Sequence, residues 1–206
     1  MATPVPAYTR LDSKQRRESL IRLGRELFSV HPYDALSVDD IAAAADVSRG
    51  LLYHYFPSKR DFYVAVVRAA AEEMRELTAP DPELAPLEQL RRGLEAYLEY
   101  AAHHGEGYRT VLQGGVGSDD EVRQIADEMR DVNVRRIVDS LGVDDPPPAL
   151  RLAIRSWVGL VEAASLDWLE NRDVSRDVLV LALMRALGSS VEMARVLDPE
   201  LELPDA

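Results

Sequence analysis

Cysteine is absent from the 206 residues, which excludes disulfides, thiol nucleophiles and thiolate metal sites. Lysine is scarce: Lys14 and Lys59 are the only two, and both lie near the amino terminus. No apolar stretch approaches the roughly 20 residues needed to span a bilayer. The opening Met1-Ala2-Thr3-Pro4-Val5-Pro6-Ala7 has neither the basic start nor the apolar run of an export signal. A cytoplasmic protein with no membrane partner is therefore expected. Short apolar–polar alternation bounded by turn residues is also missing, as is any internal repeat of roughly 20–50 residues. These gaps argue against sheets, propellers and solenoids.

What is present is an acidic chain, 47% hydrophobic and 29% charged, long enough to bury a substantial core. Its net charge of −12 is unevenly placed. Residues 1–60 carry nine Lys and Arg against seven Asp and Glu, a balance of +2, which leaves −14 on residues 61–206. Charges more than about 10 Å apart are largely screened at ordinary salt, so a slightly basic head on an acidic body can still meet phosphate.

The periodicity predicts an all-α fold of about nine helices. Residues 1–12, with Pro4 and Pro6, read as a flexible arm. Apolar Leu20, Ile21, Leu23, Leu27 and Phe28 recur at helical spacing over 13–30, with Ser13 expected as the cap and His31-Pro32 as the stop. Ser37 precedes Val38-Asp39-Asp40-Ile41, so a capping oxygen and two carboxylates stand where the first amides and the positive dipole end favour them. That helix runs to about Ala44. Ser48 caps a third, to about Tyr55, and Ser58 opens a fourth, to about Leu77. Further helices are expected at about 84–104, 106–112, 119–141, 149–171 and 175–197. Gly114-Gly115-Val116-Gly117-Ser118 reads as a connector, because no strand precedes it and the lysine of a phosphate loop is missing. The resulting division is an arm at 1–12, a head at 13–57 and a larger body at 58–206.

Three short helices, the last two joined by a tight turn, are the minimal body of a helix-turn-helix reader. Ile41, Ala42, Val47, Leu52 and Phe56 form the expected buried set, and Ser48, Arg49, Gly50, Tyr53 and His54 face outward. A B-DNA major groove, about 12 Å wide, accepts one such helix, and an arginine can bond guanine O6 and N7 together. Gly50 permits close approach, Tyr53 offers a ring or a hydroxyl, and Lys59 stands near a helix start, where phosphate binds.

Ser37-Val38-Asp39-Asp40-Ile41-Ala42, Val47-Ser48-Arg49-Gly50, Leu52-Tyr53-His54-Tyr55-Phe56 and Ser58-Lys59, in this order and spacing, resemble the amino-terminal domain of the TetR family of transcriptional regulators. The likeness covers roughly residues 14–62. It implies a dimer whose paired third helices enter successive major grooves of a pseudo-palindromic, double-stranded operator, and a carboxy-terminal domain that binds an inducer. Ser37 then matches the residue that caps the second helix and touches phosphate. Arg49, Gly50 and Tyr53 match base-facing positions, and Tyr55 and Lys59 match phosphate-contacting ones. Asp46 stands where the family usually has glycine, in a turn that needs left-handed geometry. Leu51 replaces a small or hydroxylated residue, and its role is unassigned.

No motif covers the body. Its last two helices are apolar on more than one face, through Leu150, Ile154, Trp157 and Leu160, then Val178, Leu181 and Leu187, which implies burial from two sides. The resemblance assigns them to a homodimer interface. Met74, Tyr97, Tyr100, Tyr108, Met129, Asn133 and Trp157 are the candidates for an effector pocket suited to an amphipathic or aromatic small molecule. His103 and His104, adjacent on a helix, project about 100° apart and cannot easily share an ion. Glu162 and Asp167 are assigned to the surface or the interface. No nucleophile elbow or acid–base–nucleophile set is evident, so no catalytic residue, metal or cofactor is expected. The reading is a ligand-responsive regulator, a repressor released from its operator by a small molecule. The alternative is a DNA-binding protein without inducer, whose carboxy-terminal domain serves protein contacts or nucleoid architecture.

Overall fold

The computed structural model describes residues 12–112 and 120–202. Those residues form α1 (Ser13–Val30), α2 (Val38–Ala44), α3 (Arg49–Tyr55), α4 (Lys59–Leu77), α5 (Pro86–His103), α6 (Gly105–Leu112), α7 (Asp120–Ser140), α8 (Pro148–Asn171) and α9 (Arg176–Leu197). The only other regular element among them is one 3₁₀ turn, Tyr33–Ala35, too short to leave a periodic signal in sequence. The expected Gly114–Ser118 connector and the arm before Asp12 lie outside the described residues.

The caps explain the boundaries. Ser37 accepts from the Asp40 amide at 3.1 Å, and the Asp40 carboxylate accepts from the Ser37 amide at 2.8 Å, a reciprocal box that satisfies two end donors of α2. Hydrogen bonds from Ser37 hold the Asp40 carboxyl below its ordinary pKa. Ser48, Ser58 and Ser175 cap α3, α4 and α9 through their hydroxyl oxygens. At α1 the expectation of Ser13 is corrected. Asp12 is the cap, because the residue three beyond the cap matters: Gln15 accepts from the Asp12 amide, whereas Arg16, three beyond Ser13, carries only donors.

Two apolar clusters organise the chain. One joins Leu20 and Phe28 of α1, Ile41 and Ala42 of α2, Leu52 of α3 and the neighbouring Phe56 to Phe62, Tyr63, Val66 and Val67 of α4, and reaches Val122 and Ile125 of α7. Val47 is half-buried at its edge rather than inside it. The other is built from α5, the second half of α7, α8 and α9. The first half of α4 therefore packs with the head, and residue 57 marks no gap in packing. Where α1 crosses α4, a Cβ on Gly24 would stand 2.5 Å from Val66 Cγ2 and 2.6 Å from Phe62 Cζ, so only glycine fits the crossing. Arg136 of α7 donates to the carbonyls of Arg75 and Thr78, placing a cation on the negative end of α4.

Helices α8 and α9 run antiparallel. The Trp157 indole donates to the Leu183 carbonyl at 2.9 Å, and Trp168, at the turn between them, donates to the Val174 carbonyl at 2.9 Å. Their inner faces are buried. The outer faces leave Leu152, Leu160, Val178 and Leu181 exposed, at 45–57%.

Candidate functional site

The geometry of the turn between α2 and α3 follows from Asp46. Its φ of 50° is left-handed, and the Asp46 amide donates to the Ala43 carbonyl while the Val47 amide donates to that of Ala42. That bond pair closes α2 in a Schellman arrangement, and aspartate tolerates the left-handed position that glycine usually takes. The chain then turns sharply enough for Ile41 and Ala42 to receive Leu52 and Phe56, all at most 3% exposed. Burying that side of α3 leaves the other side to solvent.

On the outer side Ser48, Arg49, Gly50, Tyr53 and His54 are all exposed, as is Ser37 at the start of α2. Arg49 Nη1 lies 3.2 Å from Asp39 Oδ2, a solvent-exposed pair worth about 0–1 kcal/mol, readily exchanged for a stronger acceptor. Gly50 carries a separate message. A Cβ there would meet nothing nearer than Ser48 Oγ at 3.9 Å, so no packing within the chain demands glycine, yet glycine costs a helix about 1 kcal/mol relative to alanine. The space over the Gly50 backbone is open to solvent.

Tyr55 is half-buried on the first cluster, with the His54 ring edge-on at 5.1 Å. Lys59 is half-buried, its ammonium 3.9 Å from the Tyr33 ring centre and donating to the Tyr33 carbonyl at 2.7 Å. Two of its three N–H bonds remain available in principle to an anion. Leu51 is half-buried, and its amide is capped by Ser48.

Among the described residues of the body lie two adjoining, partly open cavities of about 110 Å³ each. The lower one lies among α1, α4, α5, α6 and α7, and Met74, Tyr97, Tyr100, Tyr108, Met129 and Asn133 all line it. The upper one lies between α5, α7 and α8, and takes Trp157 with Tyr97 and Asn133. Sequence reasoning thus named residues that the fold brings together. It missed Arg25, Phe28, His104 and Val111 on the lower cavity and Glu162, which borders both.

Tyr97, Asn133 and Glu162 form the wall shared by the cavities. The hydroxyls of Tyr97 and Tyr108 share a hydrogen bond, and burial pushes both phenols up, so they stand neutral. Arg130 Nε reaches both carboxylate oxygens of Glu162, at 2.9 and 3.0 Å. Burial nevertheless outweighs that arginine and raises the Glu162 carboxyl above its ordinary value. At the other end of the lower cavity, desolvation lowers the His104 imidazole and raises the Tyr100 phenol. Among the described residues no group of His, Asp and Glu is arranged to hold a metal ion, and no helix is long and apolar enough to cross a membrane.

Comparison with known proteins places this geometry. Residues 20–66 match the family model for bacterial regulatory proteins of the tetR family, and residues 86–188 match a Tetracyclin repressor-like C-terminal domain. The chain belongs to the TetR family of transcriptional regulators. The transcriptional activator FasR of Mycolicibacterium smegmatis is 29% identical over 182 residues, covering 83% of this chain and 80% of FasR. The transcriptional regulator AcuR of Cereibacter sphaeroides is 35% identical over 122 residues, spanning 58% of this chain and 54% of AcuR. The crystal structure of a tetR-family regulator from Streptomyces coelicolor superimposes with a TM-score of 0.86 at 30% identity, over 92% of this chain and 86% of that one. The all-α architecture with an amino-terminal helix-turn-helix is that of the TetR family.

Proposed function

We propose that the protein binds a pseudo-palindromic operator as a C2 homodimer, represses from it, and is released when a small molecule enters the body. The head, residues 13–57, reads DNA, and residues from 58 onward bind effector and partner, with α4 shared between them. The protein is not an enzyme in this reading, and it works in the cytoplasm.

The observation that carries DNA reading is the outer face of α3, where Gly50 serves no internal packing and Arg49 stands beside it in an easily broken pair with Asp39. With the helix in a major groove, Arg49 bonds guanine O6 and N7, the Gly50 backbone lies against the bases, and Tyr53 meets a thymine methyl or a phosphate. Ser37, Ser48, His54, Tyr55 and Lys59 hold the phosphates on either side. Arg49→Ala is expected to weaken operator binding by about 1–3 kcal/mol and to relax preference at one base pair per half-site. Binding-site selection with the purified protein, followed by titration of matched and mismatched operators, checks this. An equal loss on every sequence would remove Arg49 from base reading.

Lys59 poses a sharper choice, since its ammonium already grips Tyr33. As a phosphate contact, Lys59→Ala lowers the slope of log affinity against log salt by about one per site, on all DNA alike. An unchanged slope would reduce Lys59 to an internal clamp between α4 and the 3₁₀ turn.

The dimer is supported by the outer faces of α8 and α9. Besides the exposed leucines and valines, Gly159 and Gly188 lie mid-helix and exposed, and a Cβ on either would meet nothing within 4 Å. Their absent side chains suit a partner helix at close range. The two cavities favour an effector-bound regulator over an architectural protein, because apolar walls with a few polar groups are what a small amphipathic ligand requires.

A further inference from the structure

Charge is sparse around the lower cavity. Among its described lining residues Arg25, on α1, is the one guanidinium and Glu162 the one carboxylate. Arg25 Nη2 pairs with Glu73 of α4, but its Nε is buried and meets no hydrogen-bond acceptor among the described residues. Leaving a buried donor unpaired costs about 1–3 kcal/mol, and more when the group is charged. Arg109 Nε shares that condition, yet Arg109 does not border the cavity. The Tyr100 hydroxyl interacts with both Arg25 and Glu73, yet no acceptor among the described residues reaches the Arg25 Nε. The Tyr100 hydroxyl donates to the Ala70 carbonyl at 3.3 Å, and the His104 ring packs on Tyr100 at 4.3 Å. The remaining walls near Arg25, such as Phe28, Val67 and Met74, are apolar.

A guanidinium with one buried, unpaired N–H at one end of an apolar chamber narrows the choice of occupant. A carboxylate matches the planar fork of arginine with two parallel charge-assisted bonds, and a hydrocarbon body fills the rest. Resting on the effector reading above, we infer that the lower cavity takes an anionic amphiphile, a hydrocarbon-bodied carboxylate, whose head Arg25 binds in competition with Glu73. Glu162, already paired with Arg130, repels the head from the far wall and fixes the ligand's orientation. The competition has a mechanical consequence. The Arg25–Glu73 pair adds a polar tie to the apolar packing of α1, which also packs on α2, against α4, and a ligand carboxylate that draws Arg25 away shifts α1 relative to α4.

The full-length protein, titrated calorimetrically with decanoate, decanol and decyltrimethylammonium, tests this. Decanoate should bind most tightly. Arg25→Met should weaken decanoate at least about tenfold, the loss expected for one charge-assisted hydrogen bond, and leave decanol within about twofold. Glu73→Gln should move the other way and tighten decanoate about threefold or more, because the competing carboxylate is gone. This second variant keeps the test decisive where Arg25→Met fails to fold. Equal affinity of decanoate and decanol, unchanged decanoate binding by Arg25→Met, weaker binding by Glu73→Gln, or preference for the cation would each overturn the assignment and leave the cavity as an effector site. Failure of all three probes to bind would overturn the effector reading with it.

Discussion

Leu181→Glu is expected to leave the protein monomeric at micromolar concentration and to weaken operator binding by about 10²–10⁴-fold, the advantage that a second linked contact confers. Leu181 is 52% exposed on the outer face of α9, next to Val178 and opposite the inward Leu183. In the isolated chain a glutamate there stays in water, so helix content and Tm should hold. In a dimer the same carboxylate enters an apolar seam twice, once from each copy, and its desolvation costs several kcal/mol, which the exposed Arg185 one turn along α9 offsets only in part. Sedimentation velocity and operator titration of the variant, beside Arg49→Ala as a dimeric control, decide the matter. A Leu181→Glu protein that still sediments as a dimer would move the interface away from α9.

Phe62→Ala should cost about 3–5 kcal/mol of stability, the range for removing a fully enclosed ring. Phe62 is 1% exposed and lies 4.9 Å from the Phe56 ring and 6.1 Å from that of Phe28, where α1, the end of α3 and α4 converge. Gly24 abuts its ring tip, so the neighbouring backbone has no side chain with which to fill the void. Urea unfolding with an unchanged m-value measures the loss. A loss below about 1 kcal/mol would mean that α1 slides inward and closes the cavity.

Helical periodicity located every long helix among the described residues to within a residue or two, because each has an apolar stripe and most start at a serine or proline. The left-handed position of Asp46 came from the resemblance, since the family usually has glycine there, and aspartate is among the few residues that tolerate it. The cap of α1 is Asp12 rather than the expected Ser13, and the Asp12–Gln15 spacing is the signal that points to it. The face of α3 was legible from its pattern. The cavity was legible only in part. Tyrosines, methionines and an asparagine advertise a pocket by type, whereas Arg25 and Glu162 are charged, and charge in a helix ordinarily points to solvent. Arg25 reaches the cavity because α1 lies across helices distant in sequence, which no local pattern records. One trace was available: Arg25 directly follows Gly24, on the edge of the inward stripe of Leu20, Gly24 and Phe28.

The hydrogen bond from Trp157 to Leu183 has a practical side. The chain has two tryptophans, and the fold has given them separate surroundings. Trp157 borders the upper cavity, whereas Trp168 lies under the Arg172 guanidinium at 4.0 Å, at the turn between α8 and α9. The two indoles therefore differ as optical probes: a molecule entering the upper cavity meets Trp157 and not Trp168, so the intrinsic fluorescence separates that event from changes at the α8–α9 turn.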